Sequence, residues 1–199
     1  MNFNKILSWF RLNLANIITL SAFPLCIALL WVVIVHRDWT KVILGLLLGI
    51  FLTDFLDGKV ARYLKIVGSF GSAADRLRDK LVLGIMFLFL ILDERIHISL
   101  KIVTIPIAVL ETILLILWFM GVQRKLDVSA GKYGKIKMFL ISIALLLCIM
   151  NLVVEERWGV GYHLWATSVL NVMFVVSIFF AVRSFLGHRT QYLKQLSVK

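Results

Sequence analysis

Proline is nearly absent from this sequence: Pro24 and Pro106 are the only two in 199 residues. Cysteine is as scarce. Cys26 and Cys148 both fall inside apolar runs, which reads as packing, and neither has zinc-type spacing. The four histidines, His36, His97, His163 and His188, lie near the ends of apolar runs or in the tail and show no ligand spacing. Acidic residues are outnumbered 11 to 22 by basic ones, leaving a net charge of +11. In a soluble chain that balance would suggest nucleic acid, but the distribution of the charges argues otherwise. No stretch shows the roughly ten-residue alternation of a membrane β-barrel strand. No apolar run followed by a small-residue cleavage site stands near the N-terminus, so no cleavable signal is expected.

Apolar residues are abundant. The chain is 61% hydrophobic with a mean hydropathy of +0.95, where soluble domains run at about 45–50% apolar. Continuous apolar runs of this kind predict helices, which satisfy their own backbone in lipid. Six runs reach the roughly 20 residues that a span needs: Asn16–Val35, Lys41–Leu64, Phe70–Leu92, Ile98–Gly121, Tyr133–Val153 and Tyr162–Ser184. Ahead of them, residues 1–14 place Phe3, Ile6, Leu7, Phe10 and Leu14 on one helical face, with Lys5 and Arg11 away from it. That pattern predicts an interfacial amphipathic helix. The expected architecture is all-α and integral to the membrane. One domain covers residues 1–199, with residues 185–199 as a tail.

Basic residues orient these spans. With the N-terminus inside, 17 of the 22 lysines and arginines fall on the cytoplasmic side. Arg37, Lys41, Arg95, Lys101 and Arg157 fall outside, as do the loop acids Asp93, Glu94, Glu155 and Glu156. Both termini are then cytoplasmic. The positive charge forms a collar suited to anionic lipid or anionic substrate, not a nucleic-acid surface.

Against this pattern, Thr53–Lys80 crowds four aspartates between two apolar runs. Asp54, Asp57, Gly58 and Ala61 share one face of the second predicted helix, and Gly71, Asp75 and Asp79 share one face of the third. A short turn makes the two helices antiparallel neighbours, so all four carboxylates can converge near the cytoplasmic boundary. Ionisable groups at membrane depth are costly and are functional candidates by default. Two compensations are available. One is pairing with Arg62, Arg76, Arg78 or Lys80. The other is divalent metal, and an oxygen-only donor set suits Mg²⁺ or Mn²⁺. Two such ions, about 3.5–4 Å apart, would clamp a phosphoryl transfer. The small residues beside the acids fit either helix packing or close approach of a ligand.

The pattern D54-x-x-D57-G58-x-x-A61-R62, eight residues, then G71-x-x-x-D75-x-x-x-D79 resembles the signature of the CDP-alcohol phosphatidyltransferase family. The resemblance implies a six-helix homodimer with a polar cavity facing the cytoplasm. It implies transfer of a phosphatidyl group from CDP-diacylglycerol to an alcohol, with release of CMP. It further implies that Asp54, Asp57, Asp75 and Asp79 are metal ligands and that Asp79 is the general base. Asp57, Gly58, Ala61, Arg62 and Gly71 would bind the nucleotide.

Features around the signature are similar to the bacterial phosphatidylglycerophosphate synthases within that family, which implies glycerol 3-phosphate as acceptor and a bacterial inner membrane. They are Asn16 and Thr19, Lys80 after the last aspartate, Glu111, and Gly134-Lys135-Ile136-Lys137. Ala22 and Leu110 stand where that subgroup has arginine, and Arg76-Leu77-Arg78 replaces a proline-containing stretch. Arg76, Arg78, Arg124, Lys135 and Lys137 are candidates for the acceptor's phosphate, and also fit a topological collar. Other acceptors give the same chemistry: phosphatidylglycerol (yielding cardiolipin), inositol phosphate or serine. A reading of another class, a transporter that binds cations at buried aspartates, would place acids at the midplane and along a pathway. Here they gather at one boundary.

Overall fold

A computed structural model describes residues 20–64, 69–123, 131–159 and 164–197. Every regular element in them is a helix: α1 Leu20–Val35, α2 Thr40–Leu64, α3 Ser69–Leu92, α4 Ile98–Gln123, α5 Lys132–Trp158 and α6 Leu164–Ser197. The expected helix at residues 1–14, and Asn16, Thr19 and Arg124, lie outside the described residues. Six helices therefore stand where six spans are expected. Three are long and apolar enough to cross a membrane: α4, α5 and the Ala166–Gly187 part of α6. α1 is apolar but shorter over its described length, while α2 and α3 carry the charged residues of the aspartate signature. The expected tail is helical as far as Ser197, as a continuation of α6.

The chain divides into two compact units, Met1–Phe89 and Leu90–Lys199. In the first, α1 buries Ala22, Cys26, Leu29 and Val33, a spacing of four, three and four that marks one helical face. α2 answers with Ile43, Leu47 and Ile50, and α3 with Val82, Met86 and Phe89. A side chain at Gly49 of α2 would meet Leu25 of α1 at 3.8 Å, so glycine marks a close approach of the two helices. Their turn carries an aromatic sandwich. His36 stacks on Trp39 at 4.2 Å and meets the edge of Trp31 at 5.1 Å. That suits amphipathic rings at a membrane interface.

In the second unit α6 packs against both α4 and α5. Leu170, Phe174, Ser177 and Ala181 form its buried face. α4 buries Leu100, Thr104, Ile107, Glu111 and Leu114, while Ile102, Ile105, Val109, Ile113 and Ile116 face outward. A continuous outward stripe of branched apolar residues is what hydrocarbon, not water, accommodates. Pro106 sits inside α4, as membrane helices tolerate. His97 precedes α4, and its Nδ1 accepts from the Ser99 backbone N–H at 3.3 Å. α5 ends at Gly159, whose left-handed φ of 63° lets its N–H reach the Glu155 carbonyl.

The α3–α4 connection is fastened by Arg95. Its guanidinium meets Asp93 through Nε at 3.0 Å and through Nη2 at 2.6 Å, and reaches Glu156 at the end of α5 at 2.8 Å. The hydrogen bonds to Asp93 push the Arg95 pKa above its ordinary value. Stability from a raised pKa is complete below the unfolded value and lost as pH rises through the folded one, so Arg95 keeps its charge in the cluster short of strong alkali. Asp93 is buried, and Arg95→Ala would strand its charge. We expect Arg95→Ala to cost about 2–3 kcal/mol and Glu156→Ala less than about 1 kcal/mol, measured by unfolding in mixed micelles.

Candidate active site

The aspartates are brought together by helix arithmetic. Asp54 stands ten residues before the end of α2, and Asp79 ten residues after the start of α3. At about 1.5 Å of rise per residue, two antiparallel helices joined by a short connection hold these positions level. Asp75 lies one turn away from Asp79 on the same face.

Arg78 joins them. Its guanidinium pairs with Asp54 across the two helices. It also reaches Asp79 at 3.3 Å and Asp75 at 3.7 Å. The arginine side chain is 1% exposed, whereas those of Asp54, Asp75 and Asp79 are 54%, 40% and 47% exposed. One buried cation therefore underlies three carboxylates that open outward. Arg78, one of the ion-pairing partners expected for these acids, contacts three of them. A buried charge is tolerated only when paired; here Nη2 donates to Asp54 and Asp79, while Nη1 faces Asp75 as an ion pair.

Asp57, Gly58, Ala61 and Arg62 belong to α2 and Gly71 to α3. What is expected of their side chains lies outside the described residues. Among the described residues, no three His, Cys, Asp or Glu side chains are grouped as a metal cage. Their chemistry nonetheless fits a hard divalent cation. Three carboxylates from two helices converge on one positive group, retain outward exposure, and offer oxygen alone as donor.

The acceptor candidates are placed in different ways. Arg78 has its guanidinium on the carboxylates. Arg76 is half-buried on α3, and Lys135 is exposed in the first turn of α5. Lys137 is 3% exposed and pairs with Glu111 of α4, itself 5% exposed. An acid at membrane depth needs a partner, and for Glu111 that partner is Lys137. Lys137→Met would leave Glu111 buried without its cation. We expect a loss of about 3 kcal/mol for Lys137→Met and a smaller one for Lys137→Arg, measured by unfolding in mixed micelles.

Known proteins agree with the signature. Three relatives are named CDP-diacylglycerol–glycerol-3-phosphate 3-phosphatidyltransferase. The one from Mycoplasma pneumoniae is 25% identical over 74% of this chain and 65% of its own length, so the chain spans about two thirds of that protein. Those from Rickettsia felis and Rickettsia prowazekii are each 25% identical over 87% of this chain and 97% of their own length. The family profile described as CDP-alcohol phosphatidyltransferase matches residues 12–183, across both compact units. With four aspartates at its spacing and a match over most of its length, the chain belongs to the CDP-alcohol phosphatidyltransferase family.

Proposed function

We propose that this protein transfers the phosphatidyl group of CDP-diacylglycerol to glycerol 3-phosphate, giving phosphatidylglycerophosphate and CMP. One observation carries the reading. Asp54, Asp75 and Asp79, at the family spacing, gather from two helices around one buried arginine and keep open outer faces. The names of the relatives support glycerol 3-phosphate as acceptor.

The family generally depends on divalent metal. Asp54, Asp57, Asp75 and Asp79 would hold Mg²⁺ or Mn²⁺, two ions in our reading. Bound there, the ions would neutralise the diphosphate and stabilise the CMP leaving group. The protein's own groups do the rest. Asp79 takes the proton of the acceptor hydroxyl. That oxygen bonds to the phosphorus bearing diacylglycerol, the bond from this phosphorus to the CMP oxygen breaks, and CMP departs. Asp57, Gly58, Ala61, Arg62 and Gly71 bind the nucleotide, glycine and alanine giving it access to the helix backbone. Arg76, Arg124, Lys135 and Lys137 are the remaining candidates for the acceptor's phosphate, and exposed Lys135 is better placed than Lys137, which is buried against Glu111. Acyl chains stay in the bilayer while the diphosphate meets the acids at its boundary.

We place the protein as a homodimer in a bacterial cytoplasmic membrane, with both termini and the aspartates on the cytoplasmic side. The excess of lysine and arginine in the segments assigned to that side supports this orientation.

Purified protein in detergent, given CDP-diacylglycerol and Mg²⁺ or Mn²⁺, should release CMP when glycerol 3-phosphate is added. Asp79→Asn should lower the rate by about 10²–10⁴-fold while the protein still elutes as wild type. Release only with phosphatidylglycerol, inositol phosphate or serine would replace the acceptor. Full activity in Asp79→Asn would remove its assignment as base.

A further inference from the structure

The position of Arg78 says more than the reaction requires. An arginine recruited to a substrate phosphate should present its fork outward. Here the fork is buried, and the carboxylates lie over it with about half of their surface open. The contacts come from two helices: Asp54 from α2, and Asp75 and Asp79 from α3. Without a positive group at this point, three carboxylates would repel one another, and α2 and α3 would be driven apart at their level.

We infer that Arg78 is a built-in counter-ion, a positioning residue that assembles the carboxylate cluster before any divalent ion or substrate arrives. This rests on the metal-dependent reading of the site given above. Arginine suits the task better than lysine, because its planar fork reaches several oxygens at fixed angles and its charge survives burial. The outward carboxylate oxygens remain for a metal. The cluster is therefore already gathered before an ion would enter. In a chain without such an arginine, the metal itself would have to draw the two helices together.

The test compares full-length wild type, Arg78→Gln and Arg78→Lys by thermal unfolding in mixed micelles, in EDTA and in Mn²⁺. Binding of Mn²⁺ to each is followed in parallel by electron paramagnetic resonance. In EDTA, Arg78→Gln should unfold about 5 °C or more below wild type. Mn²⁺ should then raise its Tm at least about twice as much as that of wild type, since the ion replaces a missing charge as well as binding. Arg78→Lys keeps the charge but loses the fork, so its loss should be smaller and also offset by Mn²⁺. If Arg78→Gln yields no folded protein, the Lys variant carries the test in the same direction.

Equal stability of the variants and wild type in EDTA would overturn the inference. So would a loss that Mn²⁺ offsets no more than it stabilises wild type, because that pattern belongs to ordinary packing. In both cases Mn²⁺ binding to wild type would leave the metal reading intact. Failure of wild type itself to bind Mn²⁺ would overturn the metal reading and the inference together.

Discussion

Carboxylates placed beside hydrocarbon must be compensated, and the pairing of Arg78 with Asp54, Asp75 and Asp79 does this within the protein. The surrounding structure follows from that constraint. Two helices must run level past one another to bring Asp54 and Asp79 to one point. The connection between them must be short, and the third helix, α1, must bury its apolar face in the same unit. The open sides of the carboxylates then give a polar patch at which a charged headgroup could meet the chain while its acyl tails stay in lipid.

The same rule governs the second unit on a smaller scale. Glu111 and Lys137 are both buried and each answers the other. Arg95 is fixed by Asp93 and Glu156 at the ends of α3 and α5. In a membrane helix bundle apolar contact discriminates poorly between protein and lipid, so paired charges and small residues carry much of the specificity. The outward apolar stripe of α4 faces a solvent that is itself apolar, and asks for no cover.

Much of this is legible in the sequence, for reasons that differ by residue. The six helices are readable because apolar runs of span length have few other solutions, and their observed limits fall near the expected ones except at the end of α6, which continues through the expected tail to Ser197. The facing of Asp75 and Asp79 follows from a spacing of four. The need for a cation beside the acids is equally clear, but the sequence offers Arg62, Arg76, Arg78 and Lys80 on equal terms. Only the three-dimensional register of α2 against α3 selects Arg78. The partner of Glu111 is hidden for a related reason. Glu111 stands twelve residues before the end of α4 and Lys137 five residues after the start of α5. Equal depth, which aligns Asp54 with Asp79, would not match them. Their pairing is seen in the three-dimensional structure and cannot be read from spacing.

The central claim is that Arg78 and Asp54 tie α2 to α3. It is tested most directly by a double-mutant cycle of Asp54→Asn and Arg78→Gln, read by unfolding in EDTA. The account predicts that the double variant loses less stability than the two single variants combined, with a coupling of about 1–2 kcal/mol. Additive losses, to within about 0.3–0.5 kcal/mol, would show that the two side chains do not act on one another and would contradict it.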